Sequence, residues 1–123
     1  MRAAFDYAVV RLVPRVEREE FLNVGVILHA PTRKFLKCML RVDPRRVTAF
    51  AGDVDLAGVE AALAGFAAVC EGTAGAVQGW STSERFHWLV APRSSAIQCS
   101  PVHGGVADDL DAALRELFAR RVA

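Results

Sequence analysis

The chain has 123 residues, with 15 basic and 14 acidic side chains for a net charge of +1, and it is 53% hydrophobic and 24% charged. That length suits one domain over residues 1–123, and the apolar content excludes a disordered chain. The near-neutral balance offers no electrostatic footprint for nucleic acid or an anionic membrane surface.

Asp6 and Arg11 interrupt the N-terminal apolar stretch, so no secretory h-region forms, and no apolar run approaches the roughly 20 residues that span a bilayer. Cys38, Cys70 and Cys99 are widely spaced and odd in number, without a Cys-x-x-Cys pair. Reduced, buried thiols in the cytoplasm fit this usage better than disulfides or zinc. His29, His87 and His103 lack ligand spacing. The expectation is a cytoplasmic protein with no metal and no cofactor.

Residues 4–13 are rich in strand formers and end at Pro14, which a central strand cannot accommodate. A charged connection leads to a second strand over residues 20–30. There Leu22, Val24, Val26 and Leu28 alternate with Asn23, Gly25 and His29, the period of a strand with one buried face. Pro31-Thr32-Arg33 turns the chain into a third strand, 34–42, with Leu36, Cys38, Leu40 and Val42 inward and Lys37, Met39 and Arg41 outward. Short connections make this meander antiparallel.

Asp43-Pro44 is a helix start, with Asp as cap and Pro at the first position, and the helix runs to about Ala51. Leu56, Val59, Leu63, Phe66 and Cys70 recur at helical intervals for a second helix. Residues 71–83 read as an exposed loop carrying Trp80. Strands are expected over 85–91 and 95–99, a loop over 101–105, and a final helix striped by Leu110, Leu114, Leu117 and Phe118. The order βββααββα defines an α+β fold: an antiparallel sheet of about five strands with helices packed mainly on one face.

Parity then assigns the other sheet face to Asn23, Gly25, His29, Lys37, Arg41, Arg85, His87 and Gln98, with Phe21, Phe35, Met39 and Leu89 between them. A single bulge would flip part of this set. The face is mixed cationic and apolar and holds no strand carboxylate, so it suits a protein partner or an anion better than paired-carboxylate catalysis. Asn23 and Gly25 are unusual strand residues, read either as a close backbone or ligand approach or as devices of twist and register. Trp80 is a candidate interface anchor. Arg93-Ser94-Ser95 has the form of an anion-holding turn, although such strings are common.

The pattern Tyr7-x-x-x-Arg11-x-x-Pro14, followed by Glu20-Phe21-x-Asn23-Val24-Gly25-Val26, resembles the bacterial family known as Domain of Unknown Function 3037. Arg85-Phe86, Ser94-Ser95-x-Ile97-Gln98-x-Ser100-Pro101 and the leucine-rich last helix are similar to it too, from about residue 5 to residue 122. The family commonly has Arg-Gly-Glu before the Asn-Val-Gly-Val core, where this chain has Arg18-Glu19-Glu20. The resemblance implies a neighbourhood often shared with HipA-like kinases, and so a role as partner or regulator.

Two readings follow. The first is a non-catalytic interaction or accessory protein whose partner is a second copy or a HipA-like kinase. The alternative is a small enzyme or binding module for an anionic, phosphate-bearing ligand held by Arg11, Asn23, Lys37, Arg41, Arg85, Arg93 and Gln98.

Overall fold

The computed structural model describes residues 1–93 and 95–123. Its centre is β1 (Ala3–Leu12), the longest strand, which pairs antiparallel with β2 (Leu22–Ala30); β2 pairs in turn with β3 (Phe35–Leu40). On its other side β1 takes two short antiparallel strands end to end. β4 (Ile97–Cys99) lies against Val10–Leu12, and β5 (His103–Ala107) against Ala3–Tyr7. The five-stranded antiparallel sheet and the α+β class agree with the sequence reading.

Between β3 and β4 come three helices, α1 (Pro44–Phe50), α2 (Leu56–Glu71) and α3 (Thr82–Val90), and α4 (Leu110–Arg121) closes the chain. Asp43 caps α1 as expected, its Oδ1 accepting from the Arg45 N–H at 3.0 Å, with Pro44 at the start. The segment 85–91, expected as a strand, is helical. Its start is fixed by a capping box, in which the Ser81 hydroxyl accepts from the Glu84 N–H and the Glu84 carboxylate accepts from the Ser81 N–H, both at 3.1 Å. Helical spacing then buries Phe86 and Leu89 together and turns His87 and Trp88 outward. The loop expected at 101–105 is likewise mostly strand β5. Its Gly105 leaves room for the Phe5 ring, because a Cβ there would stand 2.5 Å from Phe5 Cζ.

Two apolar cores sandwich the sheet. Ala8, Val10, Leu12, Val24, Ile27 and Leu36 meet α1, α2 and α3 on one face. Val26, Leu28, Ala30 and Phe5 meet Leu110 and Leu114 of α4 on the other. Three of the four helices share one face, but α4 covers part of the face that alternation left open. The segment Leu56–Val77, 22 residues with an 18-residue window of mean hydropathy 1.3, is by length and composition alone apolar enough to cross a membrane, contrary to the expectation that no run reaches that length. In the fold its Val59, Leu63, Phe66 and Cys70 lie buried against the sheet.

A bulge explains why the alternation in β2 misled. Val10 pairs with Gly25 and Arg11 with Asn23, which leaves Val24 as the extra residue. Leu22 and Val24 therefore face α1–α3, whereas Val26 and Leu28 face α4. A second irregularity separates β4 from β5. Here the Ser100 N–H donates to the Val9 carbonyl at 2.8 Å, and the Val9 N–H donates to the Ser100 hydroxyl, also at 2.8 Å. A side-chain oxygen thus stands in for the carbonyl that a regular ladder would supply, and Ser100 is buried although polar.

Candidate functional site

The bulge at Val24 turns Asn23 to the α4 side of the sheet, the side that also receives Tyr7 and Met39. Asn23 and Gln98 are both register partners of Arg11, so Asn23, Arg11 and Gln98 form one row across β2, β1 and β4. Phe21, just before β2, stacks on the guanidinium, with Arg11 Cζ 3.9 Å from the ring centroid. Further along β1, Tyr7 lies opposite His103 with ring centroids 5.4 Å apart. α4 packs mainly over β2 and β3; on the strip Tyr7, Arg11, Asn23 and Gln98 are half-buried, and Phe21 and His103 are exposed.

Hydrogen bonds tie the strip to the C-terminal end of α4. Asn23 Nδ2 donates to the Arg121 carbonyl at 3.1 Å, and Arg46 Nη1 donates to the Val122 carbonyl at 2.6 Å. These carbonyls lack helical partners, so Asn23 acts as a cap supplied from the sheet. Arg121 in turn donates to the Tyr7 hydroxyl at 3.2 Å. Gln98 Nε2 is held by the Ser95 carbonyl at 2.9 Å. Arg11 Nε and Asn23 Oδ1, a donor and an acceptor on neighbouring strands, are enclosed without a partner. Among the described residues neither Arg11 nor Arg121 is paired with a carboxylate. The strip is therefore cationic and aromatic, with Phe21 43% exposed at its edge.

The other expected site residues lie elsewhere. Gly25 faces β3, where a Cβ would come 2.6 Å from the Met39 carbonyl oxygen and 2.4 Å from Leu40 Cδ2. Glycine is there because the two backbones approach closely. Lys37 shares the α4 face but is engaged by Asp111 of α4 at 2.9 Å. Arg41 is exposed beyond the end of β3, its N–H bonded to the Val24 carbonyl. Arg85 belongs to α3, where Nη1 donates to the Trp80 carbonyl at 2.7 Å and Nε to the Cys70 carbonyl at 3.4 Å, clamping the end of α2 to the following loop. Trp80 itself is half-buried in that loop, and Trp88 on α3, 46% exposed, is the outward tryptophan. Arg93 stacks on Trp88 at 4.6 Å and bonds its carbonyl. The Arg93-Ser94-Ser95 turn includes Ser94, which lies outside the described residues. His87 is exposed on α3 with Nδ1 at the Ser83 carbonyl. Of the ten candidates, the fold gathers Arg11, Asn23 and Gln98 and disperses the rest.

On the opposite face His29 is buried, with Nε2 3.3 Å from the Ser83 hydroxyl, its ring stacked on Phe86 and Nδ1 without a partner. Burial, with His87 nearby, holds its pKa below the ordinary value, against a smaller upward pull from Asp6. The three cysteines are free, Cys70 buried and Cys38 and Cys99 half-buried. The Cys38 thiol is hydrogen-bonded with that of Cys70, which lowers Cys38 and raises Cys70, while burial pushes Cys99 up to about 11. No group of three or more histidine, cysteine, aspartate or glutamate side chains among the described residues is arranged to hold a metal ion.

These features define a small α+β protein in which Arg11, Asn23 and Gln98 form a row across the sheet that, among the described residues, has no carboxylate paired with it. The chain belongs to the family described as Protein of unknown function (DUF3037), whose model matches residues 7–122. Neither the curated proteins nor the solved structures compared with it gave a match.

Proposed function

We propose that this chain is a non-catalytic interaction protein that docks a partner protein on the strip formed by Phe21, Asn23, Arg11, Gln98, Tyr7 and His103. The single observation that carries this reading is Phe21, an exposed ring backed by an arginine that has no carboxylate partner among the described residues. Aromatic and arginine side chains are enriched among the anchors of protein interfaces, and the stacking of Arg11 on Phe21 holds both side chains in place before a partner arrives. The composition of the strip also supports the reading, since it brings together no pair of carboxylates and no cysteine or serine beside a histidine.

The family resemblance supplies the candidate partner, a HipA-like kinase. Phe21→Ala and Arg11→Ala each should weaken capture of such a kinase at least about tenfold, the loss of roughly 1.4 kcal/mol of binding. A melting temperature unchanged in Phe21→Ala separates lost contact from lost fold. Capture that persists in both variants sinks the proposal.

A second reading, binding of a phosphate-bearing ligand, is supported by Arg11 and Arg121, two guanidinium groups free of carboxylates. It predicts that phosphate or a nucleotide raises the melting temperature of the wild type and not of Arg11→Ala. The larger clefts lie elsewhere. The apolar groove of about 470 Å³ between α2, α3 and β4, lined by Phe66, Val69, Trp88 and Ile97, does not include the Arg11 row.

A further inference from the structure

The two edges of the sheet are built differently. On one side β3 carries Lys37 within the strand and is flanked by Lys34 and Arg41. Charged side chains of this kind discourage a further strand from pairing. On the other side β5 reads His103-Gly104-Gly105-Val106-Ala107, with no lysine, arginine, acid or proline inside the strand; Asp108 follows it and Pro101 lies two residues before it. Its outer edge has no strand beside it among the described residues, and Val106 is 55% and the preceding Val102 44% exposed. An unguarded, uncharged edge with exposed valines is a template for strand addition.

We propose that β5 pairs antiparallel with β5 of a second copy about a two-fold axis at Gly105, joining two sheets into one. Self-pairing follows from the sequence of the strand. With the axis at Gly105, Val106 of each copy lies opposite Gly104 of the other, on the same sheet face. The missing Cβ at Gly104 leaves room for the valine, and on its own chain the nearest neighbours of that space are Asp6 Oδ1 and the Phe5 carbonyl, both at 3.8 Å. His103 meets Ala107, so no like charges oppose each other. Phe5 already covers Gly105 on the α4 side, which keeps the joined strands under an aromatic lid. The interface is isologous and closes after two copies. The irregularity at Ser100 and Pro101 limits its length, so the contact falls short of the roughly 1,200 Å² of a standard interface and the dimer is in the micromolar range or weaker. The edge shares His103 with the strip, but strand addition uses the outer backbone groups of β5 and leaves the face around Phe21, Arg11 and Gln98 uncovered.

Sedimentation velocity over a wide concentration range tests the proposal. The wild type should pass from monomer to dimer, and Val106→Lys should weaken the dimer at least about tenfold without moving the melting temperature. Val106 belongs to neither core, so its replacement leaves the monomer intact. In a second variant, Gly104→Cys with Val106→Cys, mild oxidation should give a covalent dimer whose disulfides join position 104 of one copy to 106 of the other. A wild type that stays monomeric at the highest concentration, a dimer unaffected by Val106→Lys, or cross-links only between like positions would each overturn it.

Discussion

Ser100→Ala removes a single buried oxygen atom from the seam between β4 and β5 and should cost far more than a surface substitution. The Ser100 hydroxyl accepts from the Val9 N–H at 2.8 Å and donates to the Pro101 carbonyl at 2.9 Å, inside the seam where β4 gives way to β5. Alanine leaves a buried backbone donor with no acceptor. An orphaned donor costs about 1–3 kcal/mol, so the expected loss is about 2 kcal/mol. For a domain of this length each kcal/mol moves the melting temperature by about 4 °C, which gives a drop of about 8 °C. Differential scanning calorimetry on wild type and Ser100→Ala measures it directly. Ser95→Ala, which removes an exposed hydroxyl bonded to the Ile97 carbonyl, is the control and should stay within about 0.5 kcal/mol. A Ser100→Ala protein melting within about 2 °C of the wild type would refute the reasoning, because Val9 would then have another acceptor.

Three further outcomes are expected. Gly25→Ala places a Cβ against the Met39 carbonyl oxygen of a paired strand, and should lower stability by about 1–3 kcal/mol, seen as a lower urea midpoint at constant slope. His29 is held neutral by burial in α3's packing, with His87 adding to that and Asp6 opposing it, so its native pKa lies below the ordinary 6.5. The unfolded chain then binds the extra proton first. Stability is complete above about pH 6.5 and falls as pH drops below it through the depressed native value. Melting curves from pH 8 to 5 should show this slope, and His29→Gln should flatten it; an unchanged slope counts against the assignment. Among the thiols, Cys38 and Cys99 are both half-buried and Cys70 is buried; contact with Cys70 lowers Cys38, whereas Cys70 and Cys99 are raised. Iodoacetamide near pH 8 should label Cys38 first and the other two only on unfolding, as peptide mass mapping would report; equal labelling of the folded protein contradicts this.

Where local chemistry decides the structure, the sequence is legible. Asp43-Pro44 starts α1, the period of β3 divides Leu36, Cys38 and Leu40 from Lys37 and Met39, and the stripe of α4 meets the sheet through Leu110 and Leu114. It fails where pairing partners intervene. The alternation in β2 is real, but one extra residue at Val24 sends its two halves into different cores, and only the register with β1 reveals that. Strand propensity around Phe86 and Trp88 hid a helix whose signal, Ser81-x-x-Glu84, is readable in the sequence as a capping box. β5 has little propensity of its own and is strand only because β1 is long enough to need a partner there. For the site, alternation picks out Asn23 and Gln98, and the family pattern carries Arg11 and Tyr7. His103 falls in a segment that reads as a loop, and its pairing with Tyr7 depends on β5.

Co-expression of the tagged chain with a HipA-like kinase from the same genome, followed by size-exclusion chromatography with light scattering, tests the interaction role most directly. The account predicts a stoichiometric complex that survives the column with wild type and is lost with both Phe21→Ala and Arg11→Ala, while each variant keeps a cooperative melt. A kinase that elutes alone, or a complex that both variants form as well as the wild type, would contradict it.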